Sequence, residues 1–192
     1  MFEKVCIIGC GLIGSSLARV IKKNNLSKQI VSSNRSDSIN KKVIELKIVD
    51  DSSSDTKKMV SGSDLIIIAT PLSSYESIIS KIKDSLKNGT ILTDVGSVKE
   101  NVVSLIEKAV PENVSWISSH PIAGTEESGP EAGFAELFKN RWCILTPSKK
   151  SNEKDVKLLE TFWKKIGSKV DIMEAKKHDY ILSITSHLPH LI

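Results

Sequence analysis

The segment VCIIGCGLIGSSLA, Val5 to Ala18, constrains this chain more than any other. An apolar, largely β-branched run leads into Gly9, Gly11 and Gly14, and the small residues Ser15, Ser16 and Ala18 follow. The pattern reads as a buried strand, a tight turn and a helix start, with the glycines in the GxGxxG spacing of a dinucleotide site. Gly9 permits the turn, Gly11 lets the backbone approach a pyrophosphate, and Gly14 lets the helix pack close to the strand. The helix start, with Leu12 and Ile13 in its first turn, adds unpaired amides and a partial positive charge for the phosphates. A glycine turn without a ligand is the alternative. The apolar strand before it and the small residues after it weigh against that reading.

The same segment makes the end of the next strand informative. Leu12, Ile13, Leu17, Val20 and Ile21 form a helical stripe that stops near Asn24-Asn25, and Gln29 to Ser33 reads as a second strand. In this fold an acidic residue about 20 positions past the glycines takes the ribose 2′-hydroxyl, whereas an arginine suits a 2′-phosphate. The sequence has Asn34-Arg35-Ser36 there. A carboxylate would repel a phosphate and a guanidinium fork can bond it. Asn34, Arg35 and Ser36 are therefore candidate cofactor contacts, and NADP is favoured over NAD. In the alternative, Arg35 is a surface residue and Asp37 reaches the ribose or caps the next helix.

Strand and helix signals keep alternating. Val43, Ile44 and Leu46 mark a helix, a short strand is expected at Ile48-Val49, and the Ser-rich run Asp51 to Asp55 reads as a loop. The continuous apolar run DLIIIA, Asp64 to Ala69, suits a strand covered on both faces. It ends in Thr70-Pro71, and Ser73 or Ser74 can cap a helix striped by Tyr75, Ile78, Ile79, Ile82 and Leu86. Thr90 to Val95 is the next strand. Gly96-Ser97 then opens a helix with Val98, Val102, Leu105, Ile106 and Ala109 inward, and Val114 to Ser118 delivers His120. Arg141 to Thr146 is a strand. A helix through Val156, Leu159, Phe162, Trp163 and Ile166 follows, with Trp163 in the core, then a strand at Lys169 to Met173. The expected fold is α/β: a doubly wound, mostly parallel Rossmann-type sheet over residues 1–173, with 174–192 the start of a helical domain. Ligands in such sheets sit beyond the carboxyl ends of the strands. The loops Gly9–Gly14, Ala69–Leu72, Asp94–Ser97 and Ser119–Gly124 should thus converge on one crevice. Thr70 and Pro71 join the cofactor contacts, and Ser97, Ser119, His120 and Thr125 join the polar lining.

Composition narrows the function classes. The 27 basic residues are scattered as pairs such as Lys22-Lys23 and Lys164-Lys165, aromatics are only 5%, and no basic-aromatic stripe suggests nucleic acid. No apolar run approaches the roughly 20 residues a membrane span needs, and no targeting segment is read at the start. Cys6, Cys10 and Cys143 lack CxxC spacing, which points to a reducing, cytoplasmic setting rather than a disulfide framework or zinc site. His187 and His190 share a helical face, but two ligands without a third do not make a metal site. No metal is expected.

His120 sits between a strand and Pro121, which keeps it out of the helical region. A histidine there can be neutral near pH 7 and accept a proton, as oxidation of an alcohol requires. The plainer alternative is a histidine that bonds loop backbone. Its setting is more telling: GCGLIGSSLA, ATP at 69–71, DVGSVK at 94–99, SHPIAGTEESG at 119–129, ILTP at 144–147 and HDYILSITSHLPH at 178–190 occur in that order. Together they resemble the prephenate and arogenate dehydrogenase family. The resemblance implies NAD(P)-dependent oxidative decarboxylation in tyrosine biosynthesis, from prephenate to 4-hydroxyphenylpyruvate or from arogenate to tyrosine. It gives His120 the role of hydrogen-bond acceptor to the ring 4-hydroxyl and places Ser97 beside it. Thr125 and His190 would bind or shape the substrate pocket, and His178 and His187 would be structural. It also implies a helical domain that forms a homodimer and supplies an arginine for a substrate carboxylate. No arginine follows Arg141. The chain alone is therefore expected to bind cofactor and to turn over prephenate poorly. Another β-hydroxy-acid-type dehydrogenase and a non-catalytic NAD(P)-binding regulatory module are the competing readings, and only an enzyme needs His120 as a base.

Overall fold

Side-chain alternation along the strands decides which way each element packs. In the computed structural model, which describes residues 1–184, the chain runs β1 Phe2–Ile8, α1 Leu12–Lys23, β2 Ser27–Ser33, α2 Asp37–Glu45, β3 Asp51–Ser53, α3 Thr56–Val60 and β4 Leu65–Ile68. It continues with α4 Tyr75–Ile82, β5 Ile91–Asp94, α5 Glu100–Ala109, β6 Ser115–Pro121, β7 Trp142–Pro147, α6 Glu153–Lys165, β8 Lys169–Ile172 and α7 Ala175–Leu182. Val5, Ile7, Leu65 and Ile67 point to one face and pack with Leu17 and Ile21 of α1 and Phe162 and Trp163 of α6. Cys6, Ile8, Ile66 and Ile68 point to the other and pack with Ile79 and Ile82 of α4 and Val102 and Ile106 of α5. This period-2 division of an unbroken apolar run is what a sheet buried on both faces requires.

The strand order is β3-β2-β1-β4-β5-β6-β7-β8. β1 pairs in parallel with both β2 and β4, so the order reverses beside β1 and leaves a crevice at its carboxyl end. β5 and β6 are paired only at Ile91–Ser115 and Leu92–Trp116, and beyond those rungs the two strands splay apart. β7 runs antiparallel to β6 and β8 parallel to β7. Pairing with β7 extends β6 through Pro121, so His120 lies inside the strand opposite Ile144, beyond the Val114–Ser118 segment expected.

Three expectations need correction. Ile48 and Val49 are buried turn residues; the edge strand is the polar segment Asp51–Ser53, which pairs with Val31–Ser33. None of the three β3 side chains is buried, so this outer strand carries no apolar signal. The α3 turn was not anticipated, and it is held by Asp55 accepting from the Lys58 amide (3.2 Å) and by buried Met59 and Val60. α5 starts at Glu100, after Gly96-Ser97, and leaves Val98 and Leu105 37% and 43% exposed while Val102 and Ile106 face inward. Trp163 is in the core as expected, edge-on to Phe138 and Phe162.

Gly14 sets how closely α1 approaches β1: a Cβ there would lie 2.0 Å from the Gly9 carbonyl oxygen. Gly14→Ala is expected to destabilise the fold by at least about 3 kcal/mol in urea denaturation, because the obstacle is backbone.

Candidate active site

A cleft of about 740 Å³ opens at the carboxyl ends of β1, β2 and β4. Gly9 and Gly11 line its floor, Arg35 and Ser36 one wall, and Thr70, Pro71 and Lys81 the other. Among the described residues no acidic side chain lines it. Gly9 adopts φ +94°, and a Cβ on it would meet the Ala69 carbonyl at 2.7 Å, so the fold itself demands this glycine. Gly11 is different. Its backbone is extended (φ −75°, ψ −157°), and a Cβ there would meet nothing within 4 Å. Nothing in the protein requires a glycine at that position, whereas a phosphate resting on the backbone would. The first bond of α1 runs from the Ser15 amide to Gly11 O (3.0 Å), so the amides of Leu12, Ile13 and Gly14 precede the helical ladder and head the dipole. The residues at the cleft thus fit a diphosphate. The Leu12 and Ile13 side chains pack against the core and do not line the cleft.

Asn34 has a structural task. Its Oδ1 accepts from the Cys10 amide at 2.6 Å, and its Nδ2 donates to Asn40 Oδ1 at 3.0 Å. Asn34 therefore ties the glycine loop to the end of β2, while its neighbour Arg35 is exposed at the cleft. Asp37 begins α2 and does not line the cleft.

Farther along the same sheet edge, two strands beyond β4, stands His120. Between them the splayed ends of β5 and β6 enclose a charged hub. Lys99 and Asp94 are both fully buried and 2.8 Å apart. The Lys99 ammonium also donates to Ser118 Oγ and the Ser119 carbonyl, each at 2.8 Å. Asp94 accepts in addition from the Ser118 hydroxyl, the Ser119 amide, the Tyr75 hydroxyl and the Gly96 amide. All three ammonium protons and both carboxylate oxygens are engaged, which a buried pair needs to be tolerated.

His120 is half-buried, and its Nδ1 lies 2.9 Å from His178 Nε2. His178 Nδ1 lies in turn 2.7 Å from Asp179 Oδ1. Burial first, and then the Lys99 charge, hold the His120 pKa down to about 4, so the ring is neutral at pH 7. Among the described residues Nε2 of His120 has no protein partner.

The cleft brings Gly9, Gly11, Asn34, Arg35, Ser36, Thr70 and Pro71 together. His120, Ser97 and Thr125 do not line it; the loops after β1 and β4 share this cleft, and the ends of β5 and β6 lie farther along the same edge. Ser97 is exposed in the loop before α5 and makes no hydrogen bond to His120 among the described residues. Thr125 is exposed and accepts from the Glu127 amide (3.3 Å). Ser119 is buried, its hydroxyl 2.7 Å from that of Thr93, so it leaves the polar lining. His187, Pro189 and His190 lie outside the described residues. Sequence reasoning missed Asp94, Lys99 and Asp179. Asp94 and Lys99 are five apart, a spacing that no helix or strand periodicity flags.

A diphosphate-ready glycine loop at the switch point of a doubly wound sheet, with a neutral histidine on the same edge, defines a dinucleotide-binding domain of the dehydrogenase type. Residues 17–172 match the model of the prephenate dehydrogenase nucleotide-binding domain. The chain belongs to the prephenate dehydrogenase family. It is 34% identical to cyclohexadienyl dehydrogenase of Zymomonas mobilis, covering 100% of this chain and 65% of that protein. It is 32% identical to prephenate dehydrogenase of Bacillus subtilis, covering 100% of this chain and 52% of that one. The crystal structure of Aquifex aeolicus prephenate dehydrogenase in complex with hydroxyphenyl propionate and NAD+ superposes with a TM-score of 0.92 at 29% identity, over 100% of this chain and 66% of that one. The chain thus spans about half to two thirds of these relatives.

The depressed His120 pKa has a thermodynamic consequence. An unfolded chain protonates its histidines near the ordinary value of 6.5, whereas folded His120 stays neutral down to about 4. Folding stability should therefore fall as pH drops from 6.5 towards 4, through proton uptake by the unfolded state. His178, which burial also lowers, acts in the same direction. Thermal melts across this window should show a smaller loss for His120→Asn than for the wild type.

Proposed function

We propose that this chain is the nucleotide-binding, base-bearing part of an NADP-preferring enzyme that oxidatively decarboxylates prephenate or arogenate in tyrosine biosynthesis. The observation that carries the reading is His120: a half-buried, neutral imidazole with one ring nitrogen engaged and the other without a partner. Such a group is suited to accept the proton of a ring 4-hydroxyl. A bound nicotinamide would supply the hydride acceptor. As the C4–H hydride and the hydroxyl proton depart, C4 becomes a carbonyl. The C1 carboxylate then leaves as CO2, and its bonding pair passes into a ring that becomes aromatic. His120 can return its proton to the phenolate oxygen, so it is regenerated. Lys99, buried behind the end of β6 that carries His120, disfavours protonation of the resting base. Ser97, Thr125 and His190 are assigned to the substrate side by their motifs. We further assign residues 1–173 to the dinucleotide-binding domain and 174–192 to the start of a helical domain, in a cytoplasmic homodimer. The three free, buried cysteines agree with a reducing compartment.

The NADP preference is supported by the acid-free cleft with exposed Arg35 at the end of β2 and Lys81 across from it. Calorimetric titration of the purified chain should give tighter binding of NADP than of NAD. Arg35→Ala should weaken NADP by about tenfold or more, the worth of a charge-assisted contact, and leave NAD within about twofold. Equal affinities in the wild type would remove the preference.

Gly11→Ala should leave stability within about 1 kcal/mol yet abolish cofactor binding, since its Cβ would enter space that the protein leaves open. Turnover is tested with prephenate and arogenate in a form extended by the helical region expected after residue 174. There His120→Asn should remove turnover and keep cofactor affinity; surviving turnover would end the base assignment.

A further inference from the structure

His178 and Asp179 sit in α7, far along the chain from the strand that carries His120, yet they form a row of hydrogen bonds that ends on its ring. The direction of each bond follows from what each group can donate. The Asp179 carboxylate accepts the amides of Lys99 (2.9 and 3.2 Å) and Glu100 (2.9 Å). Burial alone would raise its pKa, but these amides and His178 more than offset that, so it is ionised. An ionised carboxylate only accepts. His178 Nδ1, 2.7 Å from Asp179 Oδ1, therefore carries the proton of that bond. Burial, first among the causes, keeps the His178 ring neutral, so its Nε2 is bare and can only accept. His120 Nδ1, 2.9 Å from that nitrogen, must be the donor. A neutral His120 with its proton on Nδ1 has an unprotonated Nε2.

We propose that Asp179 and His178 are positioning residues that fix the tautomer of His120, reserving Nε2 as the nitrogen that accepts the substrate proton. Neutral histidine in water prefers its proton on Nε2, the tautomer with no lone pair there. The row reverses that preference and anchors the imidazole against rotation, in the manner in which an oriented acceptor activates a catalytic base. Asp179 links this to the neighbouring loop. Its carboxylate caps α5, whose own N-cap residue Lys99 supplies no side-chain cap bond. One carboxylate thus orders both the base and the turn that follows Ser97. The inference rests on the reading of His120 as the base.

The test is nitrogen-15 NMR of the imidazoles in the 192-residue chain above pH 7. His120 is expected to show a pyrrole-like Nδ1 and a pyridine-like Nε2. In His178→Leu, which removes the acceptor but keeps an apolar filler, the two nitrogens of His120 should exchange these positions. In His178→Gln, whose amide oxygen can still accept, the wild-type pattern should return. A merely structural histidine would alter stability without switching the tautomer. A wild-type His120 protonated on Nε2 overturns the inference, as does a folded His178→Leu with an unchanged pattern. If His178→Leu does not fold, the wild type and His178→Gln decide. Cofactor titration of the same samples keeps the two ideas apart. Failure to bind either nucleotide sinks the dehydrogenase reading whatever the tautomer, whereas binding with the other tautomer sinks only this inference.

Discussion

The carboxyl edge of the sheet depends on a buried ion pair wedged where two strands part. Once backbone pairing between β5 and β6 stops at Leu92 and Trp116, their ends would expose unpaired amides and carbonyls to an apolar interior. Asp94 and Lys99 replace the missing rungs with side-chain bonds, and the Thr93–Ser119 hydroxyl pair adds another. Two isolated charges at such depth would each cost several kcal/mol in desolvation. Together, with every donor and acceptor engaged, they turn a gap in the ladder into a fixed junction from which the residue before His120 is suspended.

That junction also sets the electrostatics of the edge. A positive charge that cannot reach water lies behind a histidine, and burial strips the ring of solvent, so both effects favour the neutral form. At the other end, the cleft over β1 presents bare amides, a helix dipole and an arginine, with no carboxylate to oppose an anion. β1 and β6 are three strand intervals apart, about 14 Å at the usual spacing. The acid-free cleft and the neutral imidazole are thus separated along one edge and share one scaffold.

Much of this arrangement could be read before any coordinates. The period-2 sorting of apolar runs and the punctuation by Gly and Pro gave the alternating α/β order, because local signals suffice where a strand is buried on both faces. The same logic failed at Ile48-Val49 and Asp51–Ser53, where the apolar pair plugs the core and the polar triplet makes the ladder. It failed at Leu105, which lies at the margin of the face that Val102 and Ile106 bury and is left exposed. Arg35 and His120 stood out by chemistry at strand ends. Lys99 and Asp179 did not, since a lysine inside a protein is rare and its partners are set by how strands splay, and Asp179 meets the amides of Lys99 and Glu100 only through tertiary packing. Asn34 was legible as a position and not as a role: its amide locks the glycine loop, while its neighbour Arg35 is the residue exposed at the cleft.

The place where the sheet ends and the place where the contacts to His120 end are different. The sheet closes with Ile172 at the end of β8, whereas α7 still contributes a histidine and a carboxylate to a residue on β6. A cut made just after the last strand would spare every rung of the ladder. It would strip the first amides of α5 of their acceptor and leave His120 Nδ1 without its His178 partner. The edges of the fold are therefore a poor guide to where this polypeptide can be divided.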